Sequence, residues 1–310
     1  MPARTGRASM SPPSRFDRAD CGINTYPFTR ELGARDCLVR LAGLGYRRFE
    51  IMLVPGHFWP SLDGDGGRRD IESLVGHGEI QIMSLNQPNL DVNLSSAVPE
   101  MREHSCRMIA YAVELAACWN ARGVVINPGK DNPVFPAPDT SLTDAFRRSL
   151  DVLVPIAKRA GVSLIVKNHP LSYLHRARDL RRFFDAFGWD HIGIGYDVAN
   201  GHFAGEAPDA ILQVRERLAF LYAADTSRQA FQHARIGTGT VPFESIATLL
   251  RTENLSPPTI LEILAENAQD ALGAGVESLD RVGWPRPASG RQEPRRPASP
   301  GEMGGRSAAR

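Results

Sequence analysis

Eight times along the chain a short β-rich run gives way to a segment of helical periodicity. The runs fall at 21–28 (CGINTYPF), 46–54, 79–87, 123–129, 162–169 (VSLIVKNH), 191–200, 218–226 and 258–264 (PTILEIL). Several are apolar throughout rather than alternating, which suits parallel strands covered on both faces. Between them, Ala34, Leu38, Leu41 and Ala42 form one stripe that stops at Gly45, with Thr29 as its expected N-cap. Pro99 opens a stripe of Met101, Met108, Ala112, Leu115 and Trp119, and Leu142 to Ala157 form another before Gly161. Shorter helices fit 176–187, 206–217 and 242–252, a last one carries Ala268, Leu272, Val276 and Leu279, and 68–75 reads as a short helix. Eight strand–helix units are the arithmetic of a single (β/α)8 TIM barrel. A doubly wound open sheet would carry a Gly-rich turn after its first strand, and GINTYPFTRE has none.

Charge and composition narrow the function. Of 310 residues, 42% are hydrophobic, enough for a large core, and 36 Lys plus Arg offset 35 Asp plus Glu. No global positive field exists to hold a polyanion, so neither nucleic acid nor a membrane surface is an expected partner. Cys21, Cys37, Cys106 and Cys118 lack metal or redox spacing and read as reduced thiols of a cytoplasmic protein. Residues 1–20 are basic with no apolar stretch of a secretion signal, and 284–310 are Pro/Gly/Arg-rich. The expected division is therefore a flexible segment over 1–20, a barrel over 21–283 and a disordered tail over 284–310.

In a barrel, reacting groups come from the C-terminal ends of strands. Those ends supply Asn24, Glu50 with His57, Asn86, Asn127 with Lys130, and then Lys167, Asn168 and His169. Asp197, Asn200 and His202 follow, then Tyr222 and Asp225 with His233 in the next loop, and finally Glu262. A lone strand-end asparagine ordinarily satisfies a backbone group or caps a helix. Lys167, Asp197 and Glu262 differ, because each is a charge set in an otherwise apolar strand. An unpaired buried charge costs several kcal/mol, so these three need one another or a metal.

The motifs GINTYPF, GYRRFEI, MSLNQPN, VVINPGK, LIVKNHP, GIGYDVANGHF, YAADTS…HARIGTGTVPF and ILEIL, in this order, resemble the xylose isomerase-like TIM barrels. That superfamily includes sugar and sugar-phosphate isomerases and epimerases, dehydratases and endonuclease IV-type nucleases. The resemblance covers roughly residues 21–283. It implies one divalent metal (Mn, Mg, Zn or Co) held by a Glu ending strand five, an Asp ending strand six, a His on strand seven and a Glu on strand eight. Asp197 and Glu262 match the aspartate and the last glutamate. Lys167 stands where the strand-five glutamate belongs, Tyr222 where the histidine belongs, and Asn200 where many members carry a second histidine. An ammonium has donors and no lone pair, so it does not ligate a metal. The expectation is that Lys167 takes the metal's electrostatic role in a cluster with Asp197 and Glu262, and that no cofactor is bound.

The expected function is a metal-independent isomerase or epimerase of sugar or polyol molecules, acting by proton transfer next to a carbonyl. Glu262 would be the base, Lys167 with Tyr222 would steady the developing oxyanion, and Asp197 would orient Lys167. Glu50, Asn86, Lys130, His169, Asn200, His202 and His233 would hold the substrate. Two alternatives stand beside this. One is a metal-dependent dehydratase, lyase or epimerase using Asp197, Glu262, His202 and His233; the other is a non-catalytic barrel that binds a sugar-like ligand. The nuclease branch fits poorly, since its strand-seven Asp-x-His reads Phe231-Gln232-His233 here. The resemblance also allows a homo-oligomer.

Overall fold

The computed structural model describes residues 15–88, 91–130, 132, 134–189 and 191–287. Within them the eight strands close in sequence order into a parallel barrel. The strands are β1 (Cys21–Asn24), β2 (Arg48–Met52), β3 (Gln81–Asn86), β4 (Gly123–Ile126), β5 (Ser163–Lys167), β6 (Ile192–Asp197), β7 (Leu218–Ala223) and β8 (Thr259–Leu261). Closure is the pairing of β1 with β8, Gly22 opposite Ile260. The helices are α1 (Ala34–Gly43), α2 (Pro60–Gly76), α3 (Pro99–Cys118), α4 (Asp139–Ala160), α5 (Ala177–Phe187), α6 (Val198–Phe203), α7 (Phe243–Thr252) and α8 (Ala268–Arg281). Pro99 begins α3, and Gly161, at φ 66°, ends α4 in the left-handed conformation that glycine adopts without strain.

The apolar runs bury two surfaces. One face of the strands packs with the helices in the large core, and the other fills the barrel with Met83, Val125, Ile165, Phe220, Tyr222 and Ile260. Because strand side chains alternate with period two, an interior residue can be followed two positions later by a group at the mouth, as on four of the strands. Ile165 leads to Lys167, Gly195 to Asp197, Phe220 to Tyr222 and Ile260 to Glu262. The apolar plug therefore closes the barrel directly beneath the polar strand ends.

Local boundaries differ from the sequence reading in four places. The sixth run ends as a strand at Asp197, whose carboxylate accepts the Asn200 N–H and caps α6. The span read as a helix over 206–217 is a 3-10 segment, Pro208–Arg217, whose buried Ile211 and Val214 keep the three-residue repeat of that helix. Thr29 does not cap α1; it donates to Tyr26 O and ends a 3-10 turn, and Gly33 precedes α1. The expected short helix at 68–75 is part of the longer α2, which kinks at Gly64.

The packed chain reaches beyond 21–283 on both sides. Phe16 and Trp284 are buried, the Trp284 indole N–H donates to Thr259 Oγ1 (2.9 Å), and Arg286 pairs with the buried Asp20 (2.9 Å). The rest of the expected terminal segments, 1–14 and 288–310, lies outside the described residues. No helix among the described residues is long and apolar enough to cross a membrane.

Candidate active site

Strands β5, β6 and β8 bring Lys167, Asp197 and Glu262 together. The Lys167 ammonium lies 3.0 Å from Asp197 Oδ2 and in direct contact with Glu262 Oε2. Beneath it is the Tyr222 ring, 4.0 Å from Nζ to the centroid, which adds a cation–π contact. Room for that ring comes from Gly195, where a Cβ would lie only 2.9 Å from Tyr222 Cε2. Lys167 and Glu262 keep 5% and 6% exposure, while Asp197 and Tyr222 have none. Only the first two can touch a bound molecule.

Glu50 anchors the layer below. Its carboxylate accepts from Asn24 Nδ2 (2.7 Å), Asn86 Nδ2 (3.0 Å), Ser84 Oγ (2.5 Å) and Tyr222 OH (2.7 Å). The phenol is thus pinned by Glu50 on one side and holds the ammonium on its face. Ser84 escaped the sequence reading, although it lies two residues before Asn86 and so shares its side of the strand. Glu50, expected among the substrate contacts, is spent on Asn24, Ser84, Asn86 and Tyr222, whereas Asn86 gives it one amide N–H and keeps 5% exposure.

A second network fixes His233. Asn168 extends the strand ladder with its side chain, accepting from Asp197 N (2.7 Å) and donating to Asp197 O (3.1 Å). Asn200 Nδ2 donates to Asn168 O (2.8 Å), which turns Asn200 Oδ1 toward His233 Nε2 (3.2 Å). His233 Nδ1 faces Glu262 O (3.1 Å) and lies 4.0 Å and 3.9 Å from Asp197 Oδ2 and Glu262 Oε2. Acceptor oxygens therefore stand at both ends of the ring. The β7–α7 loop that carries His233 is folded on Asp225, whose carboxylate accepts the N–H groups of Thr226, Gly237 and Val241.

Of the other expected residues, His202, Lys130 and His57 make their contacts elsewhere, and His169 borders the cluster. His202 pairs with Thr240 Oγ1 (2.9 Å) and ties α6 to the β7–α7 loop. The turn of α6 explains it: five helical positions past Asp197 is a rotation of about 500°, which leaves His202 about 140° away around the axis. Lys130 is half-buried, with its backbone held by Asn93 and bridged to Ser172. His57 is a structural residue, its ring held between Leu32 O (2.7 Å) and Thr25 Oγ1 (2.9 Å). His169 accepts the Leu171 N–H on Nδ1 (3.2 Å) and meets Phe231 edge to face at 5.9 Å. Phe231 in turn touches His233 and Phe203, an aromatic wall for which the motifs gave no signal. A cavity of about 520 Å³ lined by Arg122, Ser163, His191 and Arg217 opens at the N-terminal ends of the strands, away from all these groups.

The electrostatics separate the two carboxylates. Burial would raise both; at Asp197 it is overcome by the Lys167 ammonium, His233 and the Asn200 N–H, and the group ends below its ordinary range. At Glu262 burial prevails over Lys167 and His233, and the pKa ends raised. For Lys167, burial is outweighed by Glu262, Asp197 and Glu50, so the amine stays protonated above its usual range. Burial, then the neighbouring ammonium, push His169 down to about 4. Its ring is neutral near pH 7, and because Nδ1 is an acceptor the proton sits on Nε2.

Asp197, His233 and Glu262 also form a set of metal-ligand type, with ligating atoms within 4.8 Å of one another. The close partner of Asp197 Oδ2 is the ammonium, at 3.0 Å. Lys167 thus occupies the space between the two carboxylates that a divalent ion would bridge, and the side chains as arranged fit the ammonium.

A barrel closed in this order, with its charged cluster at the C-terminal mouth, defines an α/β-barrel protein with an enzyme-like site. The match to the family described as xylose isomerase-like TIM barrel spans residues 38–282, and the chain belongs to that family. Among solved structures it resembles a D-tagatose 3-epimerase-like protein (TM-score 0.73, 19% identity, 84% of this chain and 97% of that one). It also resembles an L-ribulose 3-epimerase (0.69, 17%, 85% and 94%) and the IolI protein with a bound zinc atom (0.71, 15%, 85% and 97%). At these identities the likeness is one of fold. An uncharacterised Methanocaldococcus jannaschii protein is 24% identical over 173 residues, which span 55% of this chain and 66% of that protein. A second from the same organism, 28% identical over 88 residues, aligns over 32% of its length.

Proposed function

We propose that the protein is an epimerase- or isomerase-type enzyme that moves a proton at a carbon beside a carbonyl in a small, sugar-like molecule, with the Lys167 ammonium supplying the positive charge at the reacting oxygen. The observation that carries this is one ammonium held between two carboxylates at the barrel mouth, of which Glu262 keeps an exposed edge and Asp197 has none. That difference in access assigns roles: the fully buried Asp197, held ionised by Lys167, is the anchor, and Glu262, which a bound molecule can reach, exchanges protons. Glu262 takes the proton from the substrate carbon and returns it. Asp197 and Tyr222, without exposure, are positioning residues that hold Lys167. The ammonium and the neutral His169 Nε2–H donate to the oxygen on which charge develops. The epimerase names of structural neighbours support the reaction class, and the Lys167 contacts support chemistry without a metal.

The direct experiment is hydrogen–deuterium exchange of α-hydroxycarbonyl probes in D2O, the ketoses D-tagatose and L-ribulose and the simpler acetoin, followed by NMR with and without a chelator. Chelator-insensitive exchange that Glu262→Gln slows by about 100-fold or more is expected. A second reading, in which Lys167 swings away and one divalent ion binds Asp197, His233 and Glu262, is favoured by the spacing of those three ligands. Stoichiometric Mn, Zn or Co in protein purified without added metal, lost together with exchange on chelation, selects it over the first.

A further inference from the structure

Polar reading capacity at the mouth is scarce. Of five asparagines at or just past the strand ends, Asn24 is bonded to Glu50 and the Tyr26 N–H, Asn168 to Asp197, and Asn200, in α6, to Asn168 and His233, while Asn86 gives one amide N–H to Glu50. The fifth, Asn127 on the β4 side, continues the inward-facing series of Gly123 and Val125, and its Oδ1 is buried without a partner. An unprotected ketose offers a hydroxyl on nearly every carbon and needs a matching set of free donors and acceptors.

Across the mouth the surface is apolar. Phe231 is 37% exposed although its ring is braced by His169, His233 and Phe203. Leu264, 41% exposed, follows Glu262 by two residues and is hydrogen-bonded through its backbone to His233 O. Leu171, 68% exposed, donates its N–H to His169. Three large apolar side chains from three loops thus stand exposed next to the two histidines that flank Lys167 and Glu262.

From this we infer that the substrate is amphipathic: a carbonyl compound whose reacting carbon carries an aromatic or alkyl group seated on Phe231, Leu264 and Leu171, with few hydroxyls on the opposite arm, toward Asn127. The inference rests on the proton-transfer reading for where the carbonyl lies, and it names the class of molecule that the reading leaves open.

The test uses three probes: phenylacetylcarbinol, acetoin (the same α-hydroxyketone with methyl in place of phenyl) and D-fructose. Calorimetric titration of each into wild-type protein and into Phe231→Ala reads the class. Phenylacetylcarbinol is expected to bind about tenfold or more tightly than acetoin, the ratio for withdrawing one phenyl ring from water. It should also outbind D-fructose, and Phe231→Ala should erase the advantage while circular dichroism and melting stay near wild type. Equal binding of the three, tightest binding of D-fructose, no binding of any probe, or an advantage that survives Phe231→Ala overturns the inference. A dimer in sedimentation that Phe231→Ala dissociates also overturns it, by assigning the patch to a second copy. Deuterium exchange at the carbinol carbon is read in the same samples. Ring-dependent binding without exchange removes the proton-transfer reading and leaves the substrate class, whereas exchange of D-fructose at the aryl probe's rate does the reverse.

Discussion

Lys167 decides the character of the site, because it is a buried cation whose partners are two buried anions. Replacing it with methionine leaves Asp197 and Glu262 facing each other without compensation. Denaturant unfolding of Lys167→Met should show a loss of about 3–5 kcal/mol at neutral pH, shrinking at acid pH, where a carboxylate takes up a proton. Adding Glu262→Gln should recover much of it, and a loss below about 1 kcal/mol would mean that the ion pair is not formed in solution. From sequence, a lysine after VSLIV was legible as a charge that needs a partner, and Asp197 and Glu262 were its legible candidates. Glu50 was legible only as a polar strand end. That its carboxylate is saturated by Asn24, Ser84, Asn86 and Tyr222 depends on four strands meeting, which no local pattern encodes.

At the scale of elements, the site depends on strand interiors and on one loop. Gly195→Ala places a Cβ 2.9 Å from the Tyr222 ring and 3.3 Å from Ile165 Cγ2. Overpacking of this kind costs about 1–3 kcal/mol. It should also displace the ring beneath the ammonium, so thermal unfolding and deuterium exchange should both fall. The β7–α7 loop hangs on Asp225, and Asp225→Ala leaves three backbone N–H groups without their acceptor. A loss of about 3 kcal/mol is expected, with exchange activity reduced as His233 loses its place. Unchanged stability would refute that role. The helical stripes placed most helices, since burial of one face sets their period. They misjudged the sixth strand end, because Asp197 both closes a strand and caps a helix, and a strand pattern carries no mark of a cap made by its own last residue.

For the whole molecule, buried titratable groups set a window of stability. His169 has a folded pKa lowered to about 4 from 6.5, so its contribution is present above pH 6.5 and is lost as pH falls toward 4. Lys167 has a raised folded pKa, so its contribution is present below its ordinary 10.5 and is lost as pH climbs through the higher value. Cys21, Cys37 and Tyr46, pushed up to about 12 by burial, act in the same direction. Melting temperature should therefore hold steady between about pH 7 and pH 9 and decline on either side. The alkaline decline should be shallower in Lys167→Met, and identical limbs in the two proteins would count against a buried ammonium.

The sequence by itself determined the eight strand–helix units, the apolar character of the strands and the residues that end most of them. Those follow from the periodicity of burial, which is local and repeats. Only the tertiary structure decided which strand-end groups meet. It gave the cluster of Lys167, Asp197 and Glu262, already expected from the sequence, its distances, set the Tyr222 ring over Gly195, spent Asn24, Asn168 and Asn200 on internal contacts and swung His202 away. It also set Phe231, Leu171 and Leu264 beside the two histidines. These outcomes turn on the register between strands far apart in the chain and on loop paths held by single carboxylates such as Asp225, distances that a one-dimensional pattern does not contain.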